Sequence, residues 1–450
     1  MCYSLLATRY SLFFMPDTHS FVFIAASAIL VLTYVLIVSE WANRAVAALL
    51  GASLTVLLGI LTQGEAIAAI DFNTLGLLAG MMIVVAIARK SGLFGYCAIK
   101  AAQFVRASPA GILAALALVT AILSAGLNNV TTVLLVAPVT FIVCRELRVA
   151  VYPFLFAEIL ASNIGGTATL IGDPPNILIG SAAGLGFDDF LLNVAPVVVI
   201  VMALQLLVCH LVWGIKLKAA PADREHVMAL DAKAAIVDPY LLICSLCVIG
   251  AALLAFVLAD RLGAATIALT AAAMLMLLEN LRAPFHRHGD NVTSALGEVE
   301  WVTVFFFIGL FVVVGGVERA GLLELAAQRL ALLTQGNAAV TAGAVLWGSA
   351  VLSAILDNIP FVATMIPVVK SLAPALGGEE ALRPIWWALS LGACLGGNGT
   401  LVGASANLAV AGLAEKNGVP FHFGKFMALA FPMMLMSVAV AQLYLWWRYF

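Results

Sequence analysis

Two polar runs in each half of an otherwise apolar chain carry the residue types that hold small ions. The first half has Asn128-Asn129-Val130-Thr131-Thr132 and Ser162-Asn163-Ile164-Gly165-Gly166-Thr167, continuing to Gly172-Asp173-Pro174-Pro175-Asn176. The second half has Asp357-Asn358-Ile359-Pro360 and Gly396-Gly397-Asn398-Gly399-Thr400, continuing to Gly403-Ala404-Ser405-Ala406-Asn407. An unpaired backbone group inside a bilayer costs several kcal/mol, so helix breaks there belong where freed groups are buried in protein or meet a ligand. Glycines let a chain unwind and let an ion approach the backbone, and Pro174-Pro175 removes two donors at a fixed place. Asn, Ser and Thr supply neutral oxygens and amide hydrogens that replace a hydration shell. Freed carbonyls suit a cation and freed amides an anion. The candidate ion-binding residues are therefore Asn128, Asn129, Thr131, Thr132, Asn163, Gly165, Gly166, Thr167, Asp173, Asn176, Asp357, Asn358, Gly397, Asn398, Thr400, Ser405 and Asn407.

Asp173 and Asp357 are the two acids inside the breaks. Carboxylates at membrane depth usually belong to an ion or proton pathway, which makes both candidate coupling groups. The plainer role for each is capping a half-helix, and Asp357 is the stronger coupling candidate of the two. Glu158, one turn before the first break, reads as a packing residue with a polar partner. Cys244 and Cys247, at i and i+3, read as two small hydrophobes before they read as a soft-metal thiol site.

The elements that position these residues follow from composition. Of 450 residues 64% are hydrophobic and 10% charged, whereas a soluble chain needs about 25% charged residues to cover its surface. The apolar excess must face lipid. A net charge of −2 and the lack of a basic tail leave no electrostatic case for nucleic acid. Seven scattered cysteines imply no disulfide framework. No nucleotide-binding loop, His-Glu-x-x-His motif or Ser/His pairing is present, so the sequence reads as neither an enzyme nor a cofactor protein, and ATP-driven pumping would require a partner ATPase subunit.

At about 20 apolar residues per crossing, the sequence predicts spans at Phe21–Val38, Arg44–Leu61, Asn73–Ala88, Phe190–Trp213, Tyr240–Ala259, Gly263–Leu281, Trp301–Val317 and Lys425–Trp447. Two further regions, 150–186 and 384–415, read as crossing helices broken by Gly, Pro and Asn. Regions 109–144 and 337–372 read as pairs of short segments joined at a polar tip, that is, re-entrant hairpins. Ten crossings on this count place most Lys and Arg residues on the side of the 216–238 linker, which the positive-inside rule makes cytoplasmic. His286 and His288 fall in a solvated loop, and the Asn291-Val292-Thr293 sequon is inert on that side. The segment 1–20 lacks a signal peptide's basic region and cleavage site, and Met15 is the expected start.

The chain also repeats itself. Asp71-Phe72 aligns with Glu300-Trp301, Gly80 with Gly309, Gly92-Leu93 with Gly321-Leu322, Asn129 with Asn358 and Pro138 with Pro367, all at one offset. After a slip of two residues, Gly165-Gly166 matches Gly396-Gly397 and Asn176 matches Asn407. Gly, Pro and Asn in register are not a by-product of shared hydrophobicity. The fold expectation is an all-α polytopic membrane protein: an N-terminal segment 1–20, a first repeat 21–215, a cytoplasmic linker 216–238 and a second repeat 239–450. Each repeat has five crossings, one hairpin and one broken helix. An odd number of crossings turns the second repeat upside down, the arrangement of many secondary transporters.

At the four breaks the chain resembles the ion transporter superfamily, which includes arsenical-pump membrane proteins, a type of sodium/proton antiporter, the melanosomal P protein and citrate and dicarboxylate transporters. The match runs from about residue 21 to the end. Gly172-Asp173-Pro174-Pro175-Asn176 and Asp357-Asn358 place it nearest the arsenical-pump and sodium/proton branch, although Asn128 stands where P-protein-like members often have Asp. The resemblance implies a scaffold with a moving transport part, often a homodimer, in a cell membrane (the inner one in a bacterium). It implies a carrier of a small inorganic ion coupled to H⁺ or Na⁺, of the arsenite or Na⁺/H⁺ antiport type. The alternative is a citrate- or dicarboxylate-type anion symporter, against which the lack of Arg or Lys within the breaks argues.

Overall fold

The structure is a computed structural model that describes residues 18–39, 41–259, 262–282 and 288–450. The Met15 start and His286 lie outside those residues. Every regular element among them is helical, and ten helices are long and apolar enough to cross a membrane. Seven of the ten begin at Phe21, Phe72, Ala195, Pro239, Ala264, Trp301 and Phe423, close to the expected spans. The other three, Pro109–Gly126, Asn129–Glu146 and Ala338–Ile355, are arms of the two hairpins. The arms are thus not short: three have 18 residues and the fourth, Asn358–Ser371, has 14. Length alone does not separate an arm from a crossing.

Three boundaries differ from expectation for local reasons. The run from Arg44 ends its helix at Leu57, because Gly59 takes φ +71° and the amides of Ile60 and Leu61 turn back to the Thr55 carbonyl. The run 190–213 divides into Phe187–Asn193 and Ala195–Cys209, with Pro196 in the first turn of the latter and one π-turn, His210–Gly214, after it. Helix Tyr152–Thr167 continues through Gly165-Gly166, so the first break spans residues 168–173. The two glycines therefore serve close packing. A Cβ on Gly165 would strike the Ala121 backbone, and one on its repeat mate Gly396 would lie 2.5 Å from the Ala350 carbonyl oxygen.

Repeat-related segments build matching elements. Leu93–Phe104 and Leu322–Leu333 are both 12-residue helices, entered through glycines at φ +85° and +78°. The first hairpin arm packs on the broken helix in each repeat: Pro109–Gly126 on Tyr152–Thr167, and Ala338–Ile355 on Arg383–Gly396. Matching bonds pin these pairs, Ser124 to the Ser162 carbonyl and Ser353 to the Ala393 carbonyl, each 2.6 Å.

The remaining spans interlock the two halves of the chain. Phe72–Lys90 packs on Ala264–Arg282, and Trp301–Arg319 packs on Arg44–Leu57. The repeat-paired glycines Gly80 and Gly309 make these contacts possible: a Cβ there would lie 2.7 Å from the Ala268 backbone or 2.5 Å from the Ala48 backbone. This exchange carries Arg44 across to the second repeat. The linker is ordered, with helix Pro221–Met228 docked by Arg148–Asp223 and by Gln103 bonding the Met228 and Leu230 carbonyls. Thr62 caps a further short helix, Gln63–Ala68. Its amide and hydroxyl, with Arg319 beyond, hold the exposed Glu65 carboxyl below the usual carboxylate range.

Cys244 and Cys247 are free thiols on Pro239–Leu258, the second exposed, and no metal-binding cluster is found among the described residues. His288 and the sequon Asn291 lie in helix His288–Gly297 rather than in a loop.

Candidate functional site

Both breaks are held by closely similar sets of bonds. The Asn176 amide donates to the carbonyls of Thr167 (3.1 Å) and Thr169 (2.9 Å), and the Asn407 amide to those of Gly397 and Thr400 (2.8 Å each). Thr169 braces the Ala125 carbonyl and Thr400 the Ala354 carbonyl, and each hydroxyl accepts the amide of the glycine three residues on, Gly172 or Gly403. Gly166 faces Gly172 and Gly397 faces Gly403 too closely for any side chain. Carbonyls freed by the breaks are satisfied internally, as a low-dielectric interior requires.

Between these braces lies a buried knot of amides that joins the repeats. The Asn163 amide donates to Asn398 Oδ1 and Asn407 Oδ1, both at 2.9 Å, and its own Oδ1 accepts from Asn129 at 3.1 Å. Asn398 reaches back to the Leu160 carbonyl. Asp173, 1% exposed, accepts from Asn129 at 3.3 Å and from Asn358 at 3.3 and 3.5 Å, so the two hairpin tips meet on one carboxylate. It makes no cap bond to the helix it precedes, Pro174–Ala183, which overturns its reading as a cap. The Thr132 hydroxyl is buried nearby on the hairpin without a partner. Ser390 and Cys394, which the sequence reading did not single out, bond Asn176 Oδ1.

Asp357 stands in different surroundings. Its carboxylate caps Asn358–Ser371 through the Ile359 amide and also pairs with Arg44 Nη1 at 3.3 Å. Ser405 donates to Asp357 at 3.2 Å and accepts from Arg44 at 2.9 Å, while Arg44 Nη2 bonds Thr303. A cleft of about 380 Å³ opens here, lined by Asn43, Arg44, Asp357, Val402 and Ser405 among others. No Arg or Lys lies within the breaks in sequence, but Arg44 reaches the second one from 313 residues away, which weakens the argument against an anionic solute. Arg44 heads an apolar run, where a basic residue looks like an orientation flank; only the interlocked helices aim it inward.

The other candidates lie outside this network. Asn128 caps its own hairpin arm through the Val130 amide, Thr167 bonds the Asn163 carbonyl one turn back, and Thr131 is half-buried with no side-chain bond.

Residues 34–392 match the citrate transporter family. An "uncharacterized transporter" of Mycobacterium tuberculosis is 42% identical over 434 residues, 95% of this chain and 99% of that one. The P protein of Mus musculus is 35% identical over 505 residues, covering 94% of this chain and 60% of that protein. The crystal structure of the YdaH transporter of Alcanivorax borkumensis superposes with a TM-score of 0.59 at 15% identity, over 84% of this chain and 86% of that one, a likeness of fold.

Proposed function

The chain belongs to the citrate transporter family, is a multi-pass secondary transporter rather than an enzyme, and from that premise we propose that it moves a small ion in exchange for H⁺ or Na⁺, with Asp173 as the coupling group. The observation that carries this reading is the meeting of both hairpin tips on Asp173. A carboxylate held by the neutral amides of Asn129 and Asn358, with the Cys394 thiol beside it, can take a proton or a cation without opposition from a fixed positive charge. It also senses the position of both tips at once. Arsenite or Na⁺ remains the leading substrate class. The two repeats, 21–215 and 239–450 about the linker 216–238, enter the membrane in opposite senses in this reading. Their hairpins are re-entrant, and the linker face is cytoplasmic. The doubled bonds of the breaks support that symmetry.

A second reading rests on Arg44. The guanidinium, the Ser405 hydroxyl and the N-terminus of helix Ser405–Lys416, which lacks a side-chain cap, all converge near the cleft. That combination suits a carboxylate solute, so a citrate- or dicarboxylate-type symporter is the alternative.

The test is solute-driven proton flux in proteoliposomes loaded with a pH dye, comparing Na⁺, Li⁺, arsenite, citrate and succinate. Dye responses to Na⁺ or arsenite that vanish in Asp173→Asn support the leading reading. Responses to citrate or succinate alone, weakened in Arg44→Gln and kept in Asp173→Asn, move the protein to the anion class.

A further inference from the structure

Glu158 has no part in the site above, yet it is fully buried in helix Tyr152–Thr167. Its Oε1 accepts the Thr140 hydroxyl at 2.5 Å, from the second hairpin arm. Its Oε2 has no hydrogen-bond partner. Gln205, 1% exposed on Ala195–Cys209, donates to the carbonyl of Ala157, the residue beside Glu158, and its Oε1 is also unpartnered. Two acceptors without donors, a carboxyl and an amide oxygen, therefore lie buried along the same stretch of helix.

No fixed positive charge answers the acid. The elements packed on its helix carry Arg145, Glu146, His210, Arg383, Glu415, Lys416 and Lys425, of which Glu146 is half-exposed and the others are exposed. The buried thiols there are Cys144, which lies within electrostatic reach of Glu158, together with Cys209 and Cys394; Tyr152 is the other titratable group on the helix itself. Asp173, in the following break, is occupied by Asn129 and Asn358. An ionised carboxylate lacking both counter-charge and donor is among the most costly groups to bury.

The second repeat shows that the fold does not need this cluster. The offsets that pair Asn129 with Asn358 and Gly165 with Gly396 set Thr140 against Val369 and Glu158 against Leu389, and the offset of Pro196 and Pro432 sets Gln205 against Ala441. Val369, Leu389 and Ala441 are all fully buried. The same packing is therefore filled by apolar side chains in one repeat and by an acid, a hydroxyl and an amide in the other.

We propose that Glu158 is a second proton site, separate from Asp173: a neutral carboxylic acid in the conformation described, with its proton on Oε2. When the seam between the hairpin arm and the broken helix opens to water, the O–H bond breaks, the proton passes to water and the carboxylate keeps the electron pair. Thr140 supports the carboxylate form, and the Gln205 oxygen is the type of acceptor the acid form requires.

Infrared difference spectroscopy of the purified protein in lipid, stepped across the pH range in which it stays folded, tests this without knowledge of the solute. The expected result is a protonated-carboxyl C=O band that titrates with pH, is lost completely in Glu158→Gln and persists in Asp173→Asn. Where Glu158→Gln does not fold, the triple variant Thr140→Val/Glu158→Leu/Gln205→Ala, which copies the residues of the second repeat, takes its place; it keeps its helix content and loses the band. A band that Glu158→Gln or the triple variant leaves unchanged, or one that does not respond to pH, overturns the proposal. Loss of the band in Asp173→Asn instead assigns the proton to the central site and also overturns it.

Discussion

The two breaks share a frame and differ in where each keeps its acid. At the first, the carboxylate sits in the broken helix, at Asp173, with Asn128 at the hairpin tip. At the second, the tip holds the acid, Asp357, and the broken helix has Ala404 where Asp173 stands and Ser405 where Pro174 stands. The amide bonds to the Thr169 and Thr400 carbonyls, and the glycine bonds to the hydroxyls of the same two threonines, are nonetheless made in both breaks. Asp173 is sealed among amides at 1% exposure, whereas the Asp357 side chain is 17% exposed and bound to Arg44. The difference teaches that backbone satisfaction is the fixed requirement of a broken membrane helix, and that charge is free to be redistributed on top of it. One acid lies buried without a cationic partner, and the other pairs with Arg44.

The sharpest way to break this comparison is to neutralise each acid. Asp173→Asn is expected to lower coupled flux about 100-fold, near 3 kcal/mol and within the range for one partner of a buried polar pair, while the purified protein melts as a folded species. Asp357→Asn should lower flux only about tenfold, since a partly solvated pair contributes less. Equal losses in the proteoliposome assay would mean the two acids have the same role.

Next come the glycines of the frame, which should respond alike in both repeats. Gly165→Ala and Gly396→Ala each force a methyl group into helix backbone and should cost about 1–3 kcal/mol, read as similar falls in Tm. A fall confined to one variant would show that the frame is not shared. Arg44→Gln should have a smaller effect, raising the apparent KM for an anionic solute about fivefold or less with little change in kcat. That rise should shrink with added salt, because the guanidinium is partly exposed.

The smallest effect belongs to a carboxylate outside both breaks. Glu65 is held below the usual range by the Thr62 amide and hydroxyl, so its contribution is present above the ordinary carboxylate pKa and is lost as pH falls through the depressed one. Melting curves of Glu65→Gln and the parent chain should therefore differ slightly at neutral pH and converge in acid. Divergence in acid would reverse the sign.

Much of the molecule is legible in the sequence. Spans, hairpin tips and breaks follow from runs of apolar residues interrupted by Gly, Pro and Asn, because no helix in lipid continues through such a run without compensation. Asn129, Asn163, Asn176, Asn358, Asn398 and Asn407 all stand out there, since buried amides without a local partner must find distant ones. Roles are less legible. Gly165 and Gly166 look like unwinding residues in sequence and are packing residues in space. Asp173 looks like a cap and bonds no helix amide.

What the sequence determined by itself is the class of protein, most of its spans and a self-similarity between its two halves, because each depends on local hydropathy or on comparing the chain with itself. Tertiary structure alone decided which amide meets which oxygen, that Arg44 reaches Asp357, and that Glu158 lacks a counter-charge. Those contacts depend on how helices remote in the chain pack, and at Gly80 and Gly309 that packing exchanges spans between the repeats. No spacing within one segment encodes a neighbour that arrives from the other half.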